Sequence, residues 1–108
     1  MEFEARVRID QPPQIVWAVL TDVGSWREWW SGRLDGVDPG WVPGAHMLWM
    51  FCSPSQIVTC EPSSQLAFAD EENGGVEILT LEPADRGSCV VTHAKDLKVT
   101  PPSKWRPR

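Results

Sequence analysis

This chain has little positive charge and no long apolar segment. No run approaches the ~18 apolar residues that a membrane-spanning helix needs. The net charge is −5, and the basic residues are scattered apart from Lys104, Arg106 and Arg108. The acidic charge balance argues against nucleic acid as the main partner. The lack of a long apolar run argues against insertion into a membrane.

Cysteine is also sparse, and no secretory leader is apparent. The first residues lack the basic-then-apolar order of a signal peptide. Three cysteines, an odd number without framework spacing, suit a reducing compartment. A hairpin centred near Pro54 would leave Cys52 and Cys60 out of register, so we expect no disulfide between them. We therefore expect a cytoplasmic protein with buried, reduced thiols.

Histidine occurs only at His46 and His93. His93 shares a predicted strand face with Cys89, but four strand residues separate them by about 13 Å, which is too far for one metal ion. His46 has no ligand-like neighbour in the sequence. We expect no metal and no cofactor, and we interpret both histidines as polar sheet residues or cavity hydrogen-bonders.

The opening of the chain is strongly patterned. Apolar and charged residues alternate from Glu2 to Asp10, which predicts a half-buried strand. Pro12 and Pro13 fall in the first turn of the helix that follows, where a missing N–H does no harm. Asp10 is the candidate cap of that helix.

A second, shorter helix is loaded with tryptophan. Trp26, Trp29 and Trp30 fall within it, and Ser25 with Glu28 forms a capping-box pattern at its start. Consecutive helical positions lie about 100° apart, so at least one of these rings should sit at a rim or interface. Burying the others requires a broad apolar surface, which an antiparallel sheet would supply.

The rest of the chain reads as a meander of short strands. Six turn signals containing proline, glycine, asparagine or serine punctuate it. Together with the first strand, the extended runs give about seven strands in one α+β domain. The later six are predicted near Arg33 to Val37, Ala45 to Cys52, Gln56 to Glu61, Gln65 to Ala69, Val76 to Glu82 and Ser88 to Ala94.

This order of elements resembles the START-like superfamily, known as SRPBCC, which includes polyketide cyclase/dehydrase and birch-pollen-allergen-like proteins. Ile9-Asp10-Gln11-Pro12-Pro13, the helix that follows it and Trp26-Arg27-Glu28-Trp29-Trp30 carry most of the resemblance, which covers roughly Glu2 to Ala94. It implies a helix-grip-like fold, in which a curved antiparallel sheet wraps a long C-terminal helix. It also implies a cavity that holds an apolar small molecule or lipid.

The end of the chain departs from that family pattern. Residues 97–108 are rich in proline and do not favour a helix. We therefore expect a START-like domain over residues 1–96 with the C-terminal helix absent, followed by a proline-rich tail. One sheet face would then need a partner chain or Trp105 of the tail as cover, unless the chain is a fragment. Self-association into a homodimer is favoured.

The predicted function is non-catalytic binding of an apolar or aromatic small molecule or lipid between the sheet and the N-terminal helices. Two alternatives stay open: a cyclase- or dehydratase-like enzyme with His46 or Asp22 as acid-base group, and a small oligomerising interaction protein. Asp22 is equally explained by an Asx turn or helix cap. Trp41 is either a gate over the pocket or simple loop packing. No catalytic residue is assigned, and the predicted ligand-binding residues are Trp26, Trp30, Trp41, His46, Met47, Trp49, Phe51 and Phe68.

Overall fold

The chain folds into a seven-stranded antiparallel sheet with two short helices, which confirms the predicted α+β, helix-grip-like architecture. A computed structural model describes residues 2–96. The predicted tail at 97–108, with Trp105 and the question of a C-terminal helix, lies outside the described residues. No helix among residues 2–96 is long and apolar enough to cross a membrane.

The sheet order places the first strand beside the last. Neighbouring strands run β1-β7-β6-β5-β4-β3-β2, so each strand from β2 to β6 pairs with the next strand along the chain. A 3-10 turn, Val23–Ser25, precedes α2. The elements are β1 Glu2–Ile9, α1 Pro13–Leu20, α2 Trp26–Trp29, β2 Leu34–Asp38, β3 His46–Trp49, β4 Ser55–Glu61, β5 Gln65–Asp70, β6 Val76–Ala84 and β7 Ser88–Asp96.

The core lies between one face of the sheet and the helices. Residues that pair across antiparallel strands share a face, and the register brings apolar side chains from β3 to β7 onto the helix-covered face. The largest fully buried side chains are Trp26, Phe68, Met47, Ile57 and Leu66.

The first strand is not half-buried as predicted. Ala5 is exposed, and Val7 retains 56% of its surface. The reason lies in the position of α1, which packs against β6 and β7, so that its cover does not extend to Val7 on β1. The apolar alternation correctly predicted a strand but not the layer above it.

The predicted helix caps were only partly right. The N-cap of α1 is Pro12, without a side-chain hydrogen bond, so Asp10 does not cap it. Ser25 occupies the N-cap of α2, but its hydroxyl donates to backbone carbonyls, including that of Asp22 at 2.9 Å, so no capping box forms. Asp22 Oδ1 accepts from the backbone N–H of Gly24 at 3.2 Å, which confirms the Asx-turn interpretation.

The cysteines are all free thiols, which confirms that Cys52 and Cys60 form no disulfide. Cys89 is buried, Cys60 is half-buried and Cys52 is exposed, so the expectation that Cys52 and Cys60 are both buried was wrong. Burial raises the pKa of the Cys60 thiol. Burial also raises the pKa of the Cys89 thiol, and a hydrogen bond with the backbone of Glu82 lowers it by less.

Candidate functional site

Trp26 is the centre of an aromatic cluster between α2 and the sheet. Its side chain is fully buried, and its indole N–H donates to the carbonyl of Leu20 at 2.8 Å. That bond satisfies the one polar atom of the ring, so the whole indole can be buried at low cost. Five rings surround it at centroid distances from 4.4 to 6.0 Å: Trp29, Trp30, Trp41, Trp49 and Phe68.

Three of these rings form a triangle at one side of the cluster. The centroid of Trp30 is 6.3 Å from that of Trp49 and 5.9 Å from that of Phe68, and the third side measures 6.1 Å. Trp49 closes β3, and its indole N–H donates to the buried hydroxyl of Ser55 at 2.9 Å. This hydrogen bond fixes the orientation of the Trp49 ring.

A cavity of about 180 Å³ opens beside this triangle. We call it the indole cavity. Its wall combines aromatic rings with two carboxylates, and among the described residues that line it none is basic. The lining residues are Trp30, Ser31, Gly32, Trp49, Cys52, Ser53, Ser55, Phe68, Asp70, Gly75 and Glu77.

A more open depression of about 450 Å³, here called the histidine recess, adjoins the indole cavity through Trp30, Ser31 and Glu77. Lys95 and His93 belong to its wall. His93 Nε2 lies 2.8 Å from Glu77 Oε1, and the imidazole centroid is 5.1 Å from the ring of Trp30. A carboxylate that orients an imidazole in this way is the arrangement used to position a base or a hydrogen-bonding anchor.

Glu77 is one of the site residues that the sequence interpretation missed, together with Ser55 and Asp70. On β6 it shares a face with Leu79 and Leu81, which are both buried. A carboxylate on an otherwise apolar strand face is an available signal, because ionised groups rarely enter such a face without a partner. The partner is His93 on β7, whose strand neighbour in the register is Leu79.

Three of the eight predicted ligand-binding residues, Trp30, Trp49 and Phe68, line the indole cavity. Trp26 and Met47 are fully buried in the core beside them. Trp41 is stacked on Trp26 at 6.0 Å with an interplanar angle of 18°, which is loop packing against the core.

The structure places His46 and Phe51 elsewhere. In the register, His46 pairs with Gln56 while Met47 pairs with Ser55, so His46 lies on the face opposite the cavity. Its Nδ1 is 2.6 Å from a carboxylate oxygen of Glu71. Phe51 follows the end of β3 in a turn with φ of 67°, and it is 96% exposed. The predicted strand was too long, because the backbone turns after Trp49.

The groups proposed for acid-base chemistry lie away from both cavities. Asp22 is exposed and holds the turn before α2, and His46 is on the other sheet face. Trp29, by contrast, is 41% exposed at the rim of the histidine recess, as expected for at least one ring of α2. No group of three metal-ligating side chains occurs within residues 2–96.

No family model and no curated protein sequence matches this chain. Solved structures do resemble it. CalU16 from Micromonospora echinospora superposes with a TM-score of 0.74 at 18% identity, over 91% of this chain and 61% of that one. The Aha1 dimer from Colwellia psychrerythraea superposes with a TM-score of 0.71 at 13% identity, over 96% of this chain and 81% of that one.

An HSP90 activator from Plasmodium falciparum, PFC0360w, gives a TM-score of 0.70 at 11% identity, over 90% of this chain and 73% of that one. These similarities show that the chain shares the fold of these proteins. The chain spans about three fifths of CalU16.

Proposed function

We propose that this protein binds a small apolar or aromatic molecule in the indole cavity without transforming it. The observation that carries the proposal is that the Trp30, Trp49 and Phe68 triangle lines a cavity. Aromatic walls with a few polar groups are typical of small-molecule sites. The START-like fold of the neighbouring structures supports a site between sheet and helices.

The size of the cavity supports a ligand of one or two rings. An apolar cavity of roughly 150 Å³ holds benzene, and the indole cavity measures about 180 Å³. A lipid chain would also need the adjoining histidine recess of about 450 Å³. Polar groups at Ser55 and Glu77 would fix the orientation of the bound molecule.

Tryptophan fluorescence tests the proposal directly. Because Trp30 and Trp49 line the cavity, a bound ring should quench or shift the emission saturably. The panel is toluene, naphthalene and 2-naphthol, with native mass spectrometry of freshly purified protein to detect a retained molecule. If emission responds to none of them and no small molecule is retained, the proposal is wrong.

We also propose that two copies associate through the uncovered end of the sheet. Three apolar side chains of β1 and α1 are exposed, Val7 at 56%, Ile15 at 50% and Val19 at 47%. Exposed apolar patches are costly on monomers, and a two-fold pair is the commonest way to bury one. The related fold from Colwellia psychrerythraea is described as a dimer.

Replacing Val7 with glutamate should weaken this association at least tenfold, because a carboxylate would be desolvated in the interface. Sedimentation velocity over a wide concentration range measures the change. Val42→Glu, at a loop residue of similar exposure (46%), is the matched control and should leave association unchanged. A wild-type chain that stays monomeric at every concentration would refute the dimer.

A further inference from the structure

We propose that the ligand of the indole cavity carries an organic ammonium group, held by the aromatic triangle and by the carboxylates of Glu77 and Asp70. This inference rests on the proposed function and narrows it to one chemical class. The positive charge is what distinguishes this ligand, since a neutral molecule of the same shape would fit the same walls.

The aromatic geometry suits a cation. The three centroid separations of the Trp30, Trp49 and Phe68 triangle lie between 5.9 and 6.3 Å. An ammonium seated against the accessible parts of Trp30 and Trp49 would lie within the ~6 Å at which ring faces attract cations, while Phe68, which is only 2% exposed, closes the wall behind them. Aromatic sites recognise alkylated ammonium groups, because the group is weakly hydrated and its charge is spread over its methyls.

The charges around the cavity have one sign. Glu77 and Asp70 both line it, and no described lining residue is basic. Ser53, also in the lining, donates to Glu72 at 2.8 Å, which places a third carboxylate near the cavity wall. An anionic ligand would meet these carboxylates in a partly desolvated site, where like charges repel strongly.

The two lining carboxylates are held in place by different contacts. Asp70 Oδ1 accepts from the backbone N–H groups of Glu72 at 2.7 Å and Asn73 at 3.0 Å. Glu77 is held by His93, which lines the histidine recess and whose Nε2 lies 2.8 Å from Glu77 Oε1. Both are thus pre-positioned, which reduces the ordering cost of binding.

The protein as a whole favours the same ligand charge. Its net charge is −5, so its long-range field attracts cations and repels anions. His93 and Lys95 line the histidine recess and not the indole cavity. Glu77 lines both spaces, and its carboxylate contacts His93.

The test compares choline with 3,3-dimethylbutan-1-ol, its uncharged carbon isostere, by calorimetry and tryptophan fluorescence on the full chain. We expect choline to bind at least about tenfold more tightly, because shape is matched and only the charge differs. Glu77→Gln and Asp70→Asn should each reduce this preference severalfold. Asparagine at position 70 keeps an oxygen that can accept both backbone N–H bonds, so the turn should survive. Glu61→Gln removes an exposed carboxylate at the end of β4 and should leave the preference intact.

Equal or tighter binding of the neutral isostere would overturn the inference while leaving aromatic or apolar binding standing. A preference for choline that persists unchanged in both Glu77→Gln and Asp70→Asn would also overturn the inference, because it would show that these two carboxylates do not hold the ammonium group. If neither compound binds but neutral aromatics do, the cation inference fails alone. If nothing in either series binds, the proposed function fails with it.

Discussion

Replacing Trp26 with alanine should cost about 3–5 kcal/mol of unfolding free energy, the range for truncating a large buried aromatic. Trp26 is fully buried among five aromatic rings. The loss would also leave the Leu20 carbonyl without its donor at 2.8 Å. For a domain with an ordinary 5–15 kcal/mol of stability, this is a large share of the total.

Urea denaturation followed by circular dichroism measures the change, with Trp29→Ala as the matched control. Trp29 lies on the same helix but is 41% exposed, so its removal should cost less than about 1.5 kcal/mol. Equal losses for the two variants would mean that Trp26 is not the centre of the core.

Replacing Gly32 with leucine should weaken the binding of neutral aromatic probes at least tenfold. Gly32 lines the indole cavity, and a Cβ built on it meets Trp30 and Trp49 at 3.5 Å, an ordinary van der Waals contact. The further atoms of leucine would occupy the cavity, so the ligand would have to displace them. Fluorescence titration with naphthalene measures the loss.

Gly32→Ala is the control for that experiment. Its single methyl fits at 3.5 Å from both rings, so affinity should fall by less than about threefold. Thermal unfolding of both variants distinguishes a blocked cavity from a disrupted fold. Full binding by a folded Gly32→Leu variant would place the ligand elsewhere.

Much of the fold could be predicted because its signals are local. Alternation from Glu2 to Asp10 specified a strand, Pro12 and Pro13 marked a helix start, and turn residues divided the rest into strands whose bounds lie close to those observed. These features depend on backbone preferences within a few residues. The third strand was predicted too long, because alternation in Phe51 and its neighbours cannot reveal a turn that begins after Trp49.

The site was less predictable, since its residues come from separate strands and loops. The histidines illustrate this. His46 stood beside the predicted pocket residues in sequence, yet the period of two puts it on the other face of the sheet. His93 was interpreted as a polar sheet residue or cavity hydrogen-bonder without a partner being named, and it reaches Glu77 because β6 and β7 pair in the observed register.

The sequence by itself determined the succession of strands, helices and turns, and it concentrated tryptophan where the helices meet the sheet. Only the tertiary structure decided which rings became core and which became wall. Trp26 is buried because its N–H finds the Leu20 carbonyl, whereas Trp30 and Trp49 meet Phe68 around an open space. The physical reason is that a residue's type fixes what it must bury or satisfy, while the register of distant strands fixes which neighbours it finds.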